Sequence, residues 1–495
     1  MVKGGSGTWS NRRQPAVSRQ DAKSATLGPA TNPGMEIGTT WRIPTSTEPL
    51  GAILPSLAGT AALEGGSMIL RDPVHGLVAF ESEEEAIVPA LLEAREVQRL
   101  RRIRQLGLTS LSYPGADHVR FSHAVGTAFV MRKFILRMRA IHEELPFWQR
   151  LTTERARDAL AAALLHDVGH GPFSHLFEEA FPDGPHHEQW TAQIIEDDTT
   201  DVHRILRRYD PTLPARAAEL IQGRHALLYL GRAVSGTFDV DRCDYLLRDA
   251  HFTGVGYGAF DLDWLLRSFR FGAPESSHGS PSLAIDGARG LPAIESFILA
   301  RLFMFQQVYF HKTGRASEFM MTRVLARVRE LLVDGVRLPG TPEALRSIAR
   351  GDVPTLGDYL ALDDTALQSA LVNWQSASDP VLSDLSTRLA RRQLFKTYEL
   401  HDDQLQGRFE ALDEARTIAQ AHGFDPEHYV GLDAASDVPF DDTRDNITVL
   451  FRRGPARKPS DVSFLLGRLR GQRLERIRLI FAPELREAIV QALEA

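Results

Sequence analysis

Cysteine is almost absent: Cys243 is alone among 495 residues. This excludes an internal disulfide framework and fits a reducing compartment, the cytoplasm. A lone cysteine inside a helical pattern reads as a small buried residue rather than a reactive thiol. Long apolar runs are also missing. The mildly apolar stretch Leu50–Leu63 is broken by Gly51, Pro55 and Gly59 and has no basic segment before it, so it reads neither as a signal peptide nor as a membrane anchor. The net charge of -7 provides no general attraction to nucleic acid or lipid, and any polyanion site must therefore be a local patch. Lysine is scarce, with six among 57 basic residues, so Lys312 was not drawn from an abundant surface stock.

What is present is ordinary globular material, 43% hydrophobic and 24% charged, in a chain long enough for a large core and an appended lobe. Residues 1–66 are rich in Gly, Ser, Thr, Pro and Ala without an amphipathic period, and are expected to be a disordered leader. Residues 67–396 are expected to form a mainly α core, and 397–495 a small C-terminal α/β lobe. Val97, Leu100 and Ile103 share a helical face, while Arg99, Arg101, Arg102 and Arg104 fill the others, by default a solvated surface. Val125, Phe129, Arg132 and Leu136 are expected to line one face of a helix that carries His123 in its first turn. Ser268–Phe271 and Leu283–Ile285 can pair as a hairpin. Gly254, Gly256 and Gly258 form a loop and not a phosphate cradle, because no strand precedes them. A long helix is predicted from Leu291 to Leu332. Strands are expected at Thr448–Phe451 and Ile477–Phe481. Between them, residues 452–478 carry nine basic residues against Asp461 and Glu475. A solvated edge is the default reading, and an anion site for an effector nucleotide or nucleic acid is the alternative.

The densest chemistry lies at His166–His175, where three imidazoles and one carboxylate occupy ten residues directly after the apolar run Leu160–Leu165. An adjacent His166–Asp167 pair offers nitrogen and oxygen to one cation, a mixture that suits a catalytic divalent site better than a closed structural one. Two ligands rarely suffice. His123 upstream and Asp241 downstream, each near the start of a helical pattern, complete a four-ligand set.

The order His, His-Asp, Asp resembles the HD metal-dependent phosphohydrolases at His123, His166, Asp167 and Asp241. The stretches Gln98–Gly107, Tyr113–Ala116, Arg120–His123, His166–His175 and Asp239–Asp249 narrow the resemblance to the deoxynucleoside triphosphate triphosphohydrolases, over roughly Asp72 to Lys396. The resemblance implies a helical HD core and one divalent ion, of identity Mg, Mn, Fe, Zn or Co. It implies water attack on the α-phosphorus of a dNTP, releasing deoxynucleoside and tripolyphosphate. The departing 5′-oxygen needs a proton, and a histidine is its natural donor. By family position that is His175, oriented by Glu178, with His187 nearby and His170 on the phosphate. Arg120, Arg242, Lys312 and Arg301 would hold the triphosphate, where cationic donors are most useful. Gln105, Leu106, Tyr245 and Asp249 would read the sugar, with Tyr309 and His311 near the triphosphate or the base. Phe305 departs from the histidine of the animal enzyme. The resemblance also implies a homo-oligomer, tetramer or hexamer, with nucleotide as effector. The rival readings are hydrolysis of another phosphoester (a nucleoside monophosphate, cyclic dinucleotide or single-stranded nucleic acid) and a nucleotide-responsive interaction or defence module.

Overall fold

Helices buried on more than one side set the architecture. In the computed structural model of the chain, residues 68–494 are described apart from 183, 275–280, 402 and 443–446. The leader expected over 1–66 lies outside the described residues. The protein is mainly helical, with eight short strands among the described residues.

The Leu160–Leu165 run closes the Thr153–Leu165 helix, which begins where Thr152 Oγ1 accepts from Arg155 N at 3.2 Å. It packs against the Arg120–Ile141 helix. That second helix is buried on more than one side. Val125 and Phe129 are inside as expected, but Leu136 is 49% exposed, and Met131, Ile135 and Met138 take the buried positions further along. The Val240–Thr253 helix packs on it as well, capped by Asp239 Oδ1, which accepts from Arg242 N at 2.8 Å, and ended by Gly254 in the left-handed conformation at φ 77°. These three helices carry His123, His166 and Asp241.

β1 (Met68–Asp72) and β2 (Gly76–Phe80) form an antiparallel hairpin, whose turn is held by Asp72 Oδ1 accepting from Val74 N and His75 N. β3 (Phe269–Pro274) and β4 (Pro281–Asp286) pair as the sequence predicts, with Phe269 opposite Ile285. β7 (Thr448–Leu450) joins this hairpin in parallel beside β4. The strand expected at Thr448–Phe451 therefore extends the core hairpin rather than the C-terminal sheet. That sheet has the order β5-β8-β6, from Lys396–Glu399, Leu474–Phe481 and Val430–Asp437, and is antiparallel throughout. The Arg408–Ala421 helix packs on β6 and on the final Arg486–Leu493 helix.

The predicted continuous helix over Leu291–Leu332 is interrupted. The Leu291–Met304 helix widens into a π turn at Phe305–Tyr309, His311 turns extended at ψ 125°, and a new helix runs over Lys312–Val333. Neither Gly nor Pro marks the break, so periodicity alone could not reveal it. A π turn re-aims side chains, and here Phe305 and Tyr309 come to face a cavity. Among the described residues no helix is long and apolar enough to cross a membrane.

Candidate active site

His123 sits in the first turn of its helix, fully buried. Its Nδ1 donates to Asp244 Oδ2 at 2.7 Å, which leaves the Nε2 lone pair facing inward. His166, at the end of the apolar helix, donates from Nδ1 to the Ala163 carbonyl at 2.9 Å, so its Nε2 is likewise an acceptor. The two Nε2 atoms are 3.3 Å apart. Two lone pairs at that distance require a cation between them, a proton or a metal. Asp241 Oδ1 lies 3.0 Å from His123 Nε2 and 3.4 Å from His166 Nε2, and Asp167 Oδ1 is 3.4 Å from His166 Nε2. Two neutral nitrogens and two carboxylates fit a divalent ion, and His123, His166 and Asp167 have ligand atoms within 4.8 Å of one another. Without a metal the proton takes the place. Burial lowers the basicity of His123, but Asp241 and Asp244 outweigh it and push the imidazole up to about 10. Burial raises the Asp241 carboxyl, and the close approach of the His123 and His166 imidazoles reverses this and holds it below the ordinary range.

A second layer of residues fixes these ligands. Asp244 accepts from His75 Nε2 at 2.6 Å and from Arg248 Nε and Nη2 at 2.8 and 2.9 Å, while Arg248 Nη1 donates to Asp72 Oδ2 at 2.8 Å. Sequence reasoning missed the roles of Asp72, His75, Asp244 and Arg248. The available signal was Asp244 one helical turn after Asp241, on the same face. Arg120 pairs with Asp167 through Nη1 and donates from Nε to Ser174 Oγ at 2.9 Å.

Beside this cluster stands another, made of His170, His175, Glu178 and His187. His170 and His187 stack with centroids 3.9 Å apart, and His175 meets both edge-on. His187 Nδ1 donates to Glu178 Oε1 at 2.7 Å, whereas His175 Nδ1 is 3.7 Å from Glu178 Oε2. Glu178 is therefore bound more tightly to His187 than to the expected partner His175. Burial raises the Glu178 carboxyl, but the nearby imidazoles of His175 and His187, the latter hydrogen-bonded to it, outweigh this and hold it far below the usual carboxylate range. Burial, reinforced by the charge of Arg120, keeps His170 neutral, well below its ordinary value.

Arg120 and His175 also line a cavity of about 560 Å3, together with Gln105, Leu106, Tyr245, Asp249, Tyr309 and Phe305. Gln105 and Leu106 reach it from the irregular stretch beyond the helical turn Leu100–Arg102, not from a helix. Gln105 Oε1 is buried with no hydrogen-bond partner among the described residues. Asp249 accepts from Tyr309 Oη at 2.8 Å and from His118 Nε2 at 2.8 Å. His118 was not foreseen. Arg99 is buried rather than solvated, donating to the carbonyls of His170 and Leu362 at 2.8 and 2.6 Å. Arg242 and Arg301 line an adjoining cavity of about 530 Å3, which shares Ser436 with the first. Arg301 is engaged there by both oxygens of Asp437, at 2.8 and 3.0 Å. His311 and Lys312 line neither of these cavities, and the His311 ring meets Tyr113 edge-on at 5.3 Å. Cys243 is buried, and burial raises its thiol well above the ordinary range.

Comparison with known proteins agrees with this geometry. The HD domain family matches residues 120–246, and the HD associated region matches residues 275–336. The Bacillus subtilis protein YwfO is 34% identical over 424 residues, covering 84% of this chain and 92% of that protein. A Dictyostelium discoideum homolog of the deoxynucleoside triphosphate triphosphohydrolase SAMHD1 is 29% identical over 286 residues, covering 54% of this chain and 50% of its own length. The chain thus spans about half of that relative. The crystal structure of a phosphohydrolase from Bacteroides thetaiotaomicron superposes with a TM-score of 0.70 at 28% identity, covering 84% of this chain and 100% of that one. With the His123, His166-Asp167 and Asp241 cluster on a helical core of that shape, the chain belongs to the HD-domain phosphohydrolases, in the branch related to the deoxynucleoside triphosphate triphosphohydrolases.

Proposed function

We propose that the protein hydrolyses dNTPs to deoxynucleoside and tripolyphosphate. One observation carries this reading: a single cavity joins the sugar-reading set Gln105, Leu106, Tyr245 and Asp249 to Arg120 and His175, and Arg120 is in turn bonded to the cluster residue Asp167. A divalent ion held by His123, His166, Asp167 and Asp241 would, when bound, supply Lewis acidity to a phosphoryl oxygen and to water.

The chain's own residues do the rest. Arg120, fixed by Asp167 and Ser174, presents a guanidinium to the phosphate nearest the cluster. His175 stands on the cavity wall and gives a proton to the departing 5′-oxygen. Glu178 holds the neighbouring His187 by a 2.7 Å bond and, at 3.7 Å, faces His175 Nδ1. The unpartnered Gln105 Oε1 accepts from a sugar hydroxyl. Asp249, steadied by Tyr309 and His118, takes the other side of the ring, and Tyr245 crowds the 2′ position, so ribonucleotides are poor substrates. The outer phosphates extend towards Arg242 and Arg301 in the adjoining cavity. Nucleotide as effector, a homo-oligomeric assembly and an anion-binding role for the 452–478 segment belong to the same reading.

Chromatographic product analysis with each dNTP and NTP, alone and in mixtures, tests it. Deoxynucleoside plus tripolyphosphate is the expected result. Monophosphate plus pyrophosphate, or orthophosphate alone, would assign the site to other phosphoester chemistry, and comparable turnover of GTP and dGTP would remove the basis for calling it a deoxynucleotide enzyme.

A further inference from the structure

The sugar and phosphate assignments leave part of the main cavity's lining unused. It includes the rings of Phe305 and Phe310 and the charged side chains of Glu179, Arg315 and Glu318. The aromatic part is a product of the π turn: Phe305 packs edge-on against Tyr309 and Phe310, with centroids 4.9 and 5.5 Å away. Such a wall suits a flat heterocycle. The polar part is built and not incidental. Arg315 donates from Nε and Nη2 to Asp433 Oδ1 at 3.0 and 2.7 Å, and from Nη1 to Glu318 Oε2 at 2.8 Å. Arg315 is thus anchored in strand β6, and it fixes the direction in which the Glu318 carboxylate faces. Glu318 Oε1 receives no hydrogen bond among the described residues.

We propose that this part of the cavity lining takes the nucleobase and that the Glu318 carboxylate selects guanine. The inference rests on the dNTP reading given above. Its chemical ground is the pattern of donors on the base edges. A carboxylate only accepts, and each of its oxygens offers two lone pairs. Guanine alone among the four bases carries two adjacent donors, N1–H and the 2-amino group. Adenine and cytosine each place a ring acceptor beside their amino donor, and thymine sets one N–H between two carbonyls, so each would turn an acceptor towards the carboxylate. Burial raises the Glu318 carboxyl to about 7 against the pull of Arg315, and a ligand that brings two donors stabilises the charged form at that position. Arg315 acts here as a positioning residue, and Glu318 as the group that touches the base.

The test is steady-state kcat/KM for dGTP, dITP, dATP, dCTP and dTTP, measured on the wild-type chain and on Glu318→Gln. A hydrogen bond to a charged group is worth a factor of ~10 or more. The wild type should therefore prefer dGTP over dATP, dCTP and dTTP, and dITP, which lacks the 2-amino group, should fall about tenfold below dGTP. Glu318→Gln should lower the ratio of kcat/KM for dGTP to that for dATP about tenfold while the chain keeps its melting temperature. Equal use of dGTP and dITP by the wild type would overturn the inference without any variant, leaving the dNTP reading intact. A uniform fall across all bases in Glu318→Gln would also overturn it, since a purely structural ion pair behaves that way. If the wild type hydrolyses no dNTP, the underlying reading fails and the inference falls with it.

Discussion

Asp244 touches no expected ligand of the metal except His123, yet replacing it should impair metal binding. Its Oδ2 accepts from His123 Nδ1 and Arg248 Nε, and its Oδ1 from His75 Nε2 and Arg248 Nη2. Asp244→Asn converts one of these oxygens into an NH2 group that faces donors. If the amide turns its oxygen to His123, its nitrogen opposes His75 and Arg248. If it turns the other way, His123 loses the acceptor that fixes its tautomer. Loss of such an outer partner typically lowers metal affinity 10- to 100-fold, or about 1.4–2.8 kcal/mol. The fold loses stability as well, because Arg248 is fully buried and keeps only Asp72 as a charged partner. Breaking a buried pair costs about 3–5 kcal/mol, and the remaining Asp72 contact places the expected loss at the lower end. Gly126→Ala reaches the same pair by sterics alone, since a Cβ there would lie 1.9 Å from Asp244 Oδ1 and 2.3 Å from Arg248 Nη2. Metal content by mass spectrometry, affinity by chelator competition and thermal melting measure the two effects separately. A folded Asp244→Asn chain that binds metal as tightly as the wild type would refute the claim that Asp244 orients His123.

Three further outcomes follow from the same geometry. Because a metal must displace the proton that Asp241 and Asp244 hold on His123 up to about 10, apparent metal affinity should rise with pH by up to ~10-fold per unit below that value; a flat chelator titration from acid to mildly alkaline pH would contradict it. His175→Ala should retain the metal but lose ~10²–10⁴-fold in dNTP turnover, and recover on a p-nitrophenyl phosphodiester whose leaving group needs no proton; if metal is lost instead, His175 is a ligand, and if turnover is unchanged, His187 is the next donor to test. Leu164→Ala, at a fully buried position two residues before His166, should cost about 2–5 kcal/mol of stability in a denaturant melt, and an unchanged midpoint would mean that this helix end repacks freely.

The metal cluster was legible because its ligands follow strong local signals: His166 and Asp167 end an apolar run, and His123 and Asp241 lie in first turns. The helical class and the β3–β4 hairpin were legible for the same reason, since both are local. What escaped depends on distant partners. Asp72 meets Arg248 across 176 residues of chain, and Asp437 meets Arg301 across 136, so neither pairing leaves a periodic trace. The π turn at Phe305–Tyr309 carries no breaker residue. β6, with the sequence Val-Gly-Leu-Asp-Ala-Ala-Ser-Asp, lacks the apolar alternation that marks a strand. It is ordered by its register against β8, from Val430 opposite Phe481 to Asp437 opposite Leu474. Tertiary pairing there overrides a weak local preference.

The position of β8 in its sheet has a consequence for how the protein is made. β8 is the central strand, and it follows both of its neighbours, β5 and β6, in the chain. β5 and β6 have no hydrogen-bonded contact with each other and must wait, with their edges unpaired, until β8 has been synthesised. Strand β6 also carries Asp433, the anchor of Arg315, and Asp437, the partner of Arg301. The helices that carry His123, His166 and Asp241 precede β8 in the chain, while the part of the cavity wall that β6 supplies is ordered only once β8 is in place. A nascent chain that lacks β8 would hold the His123, His166, Asp167 and Asp241 cluster without that part of the wall.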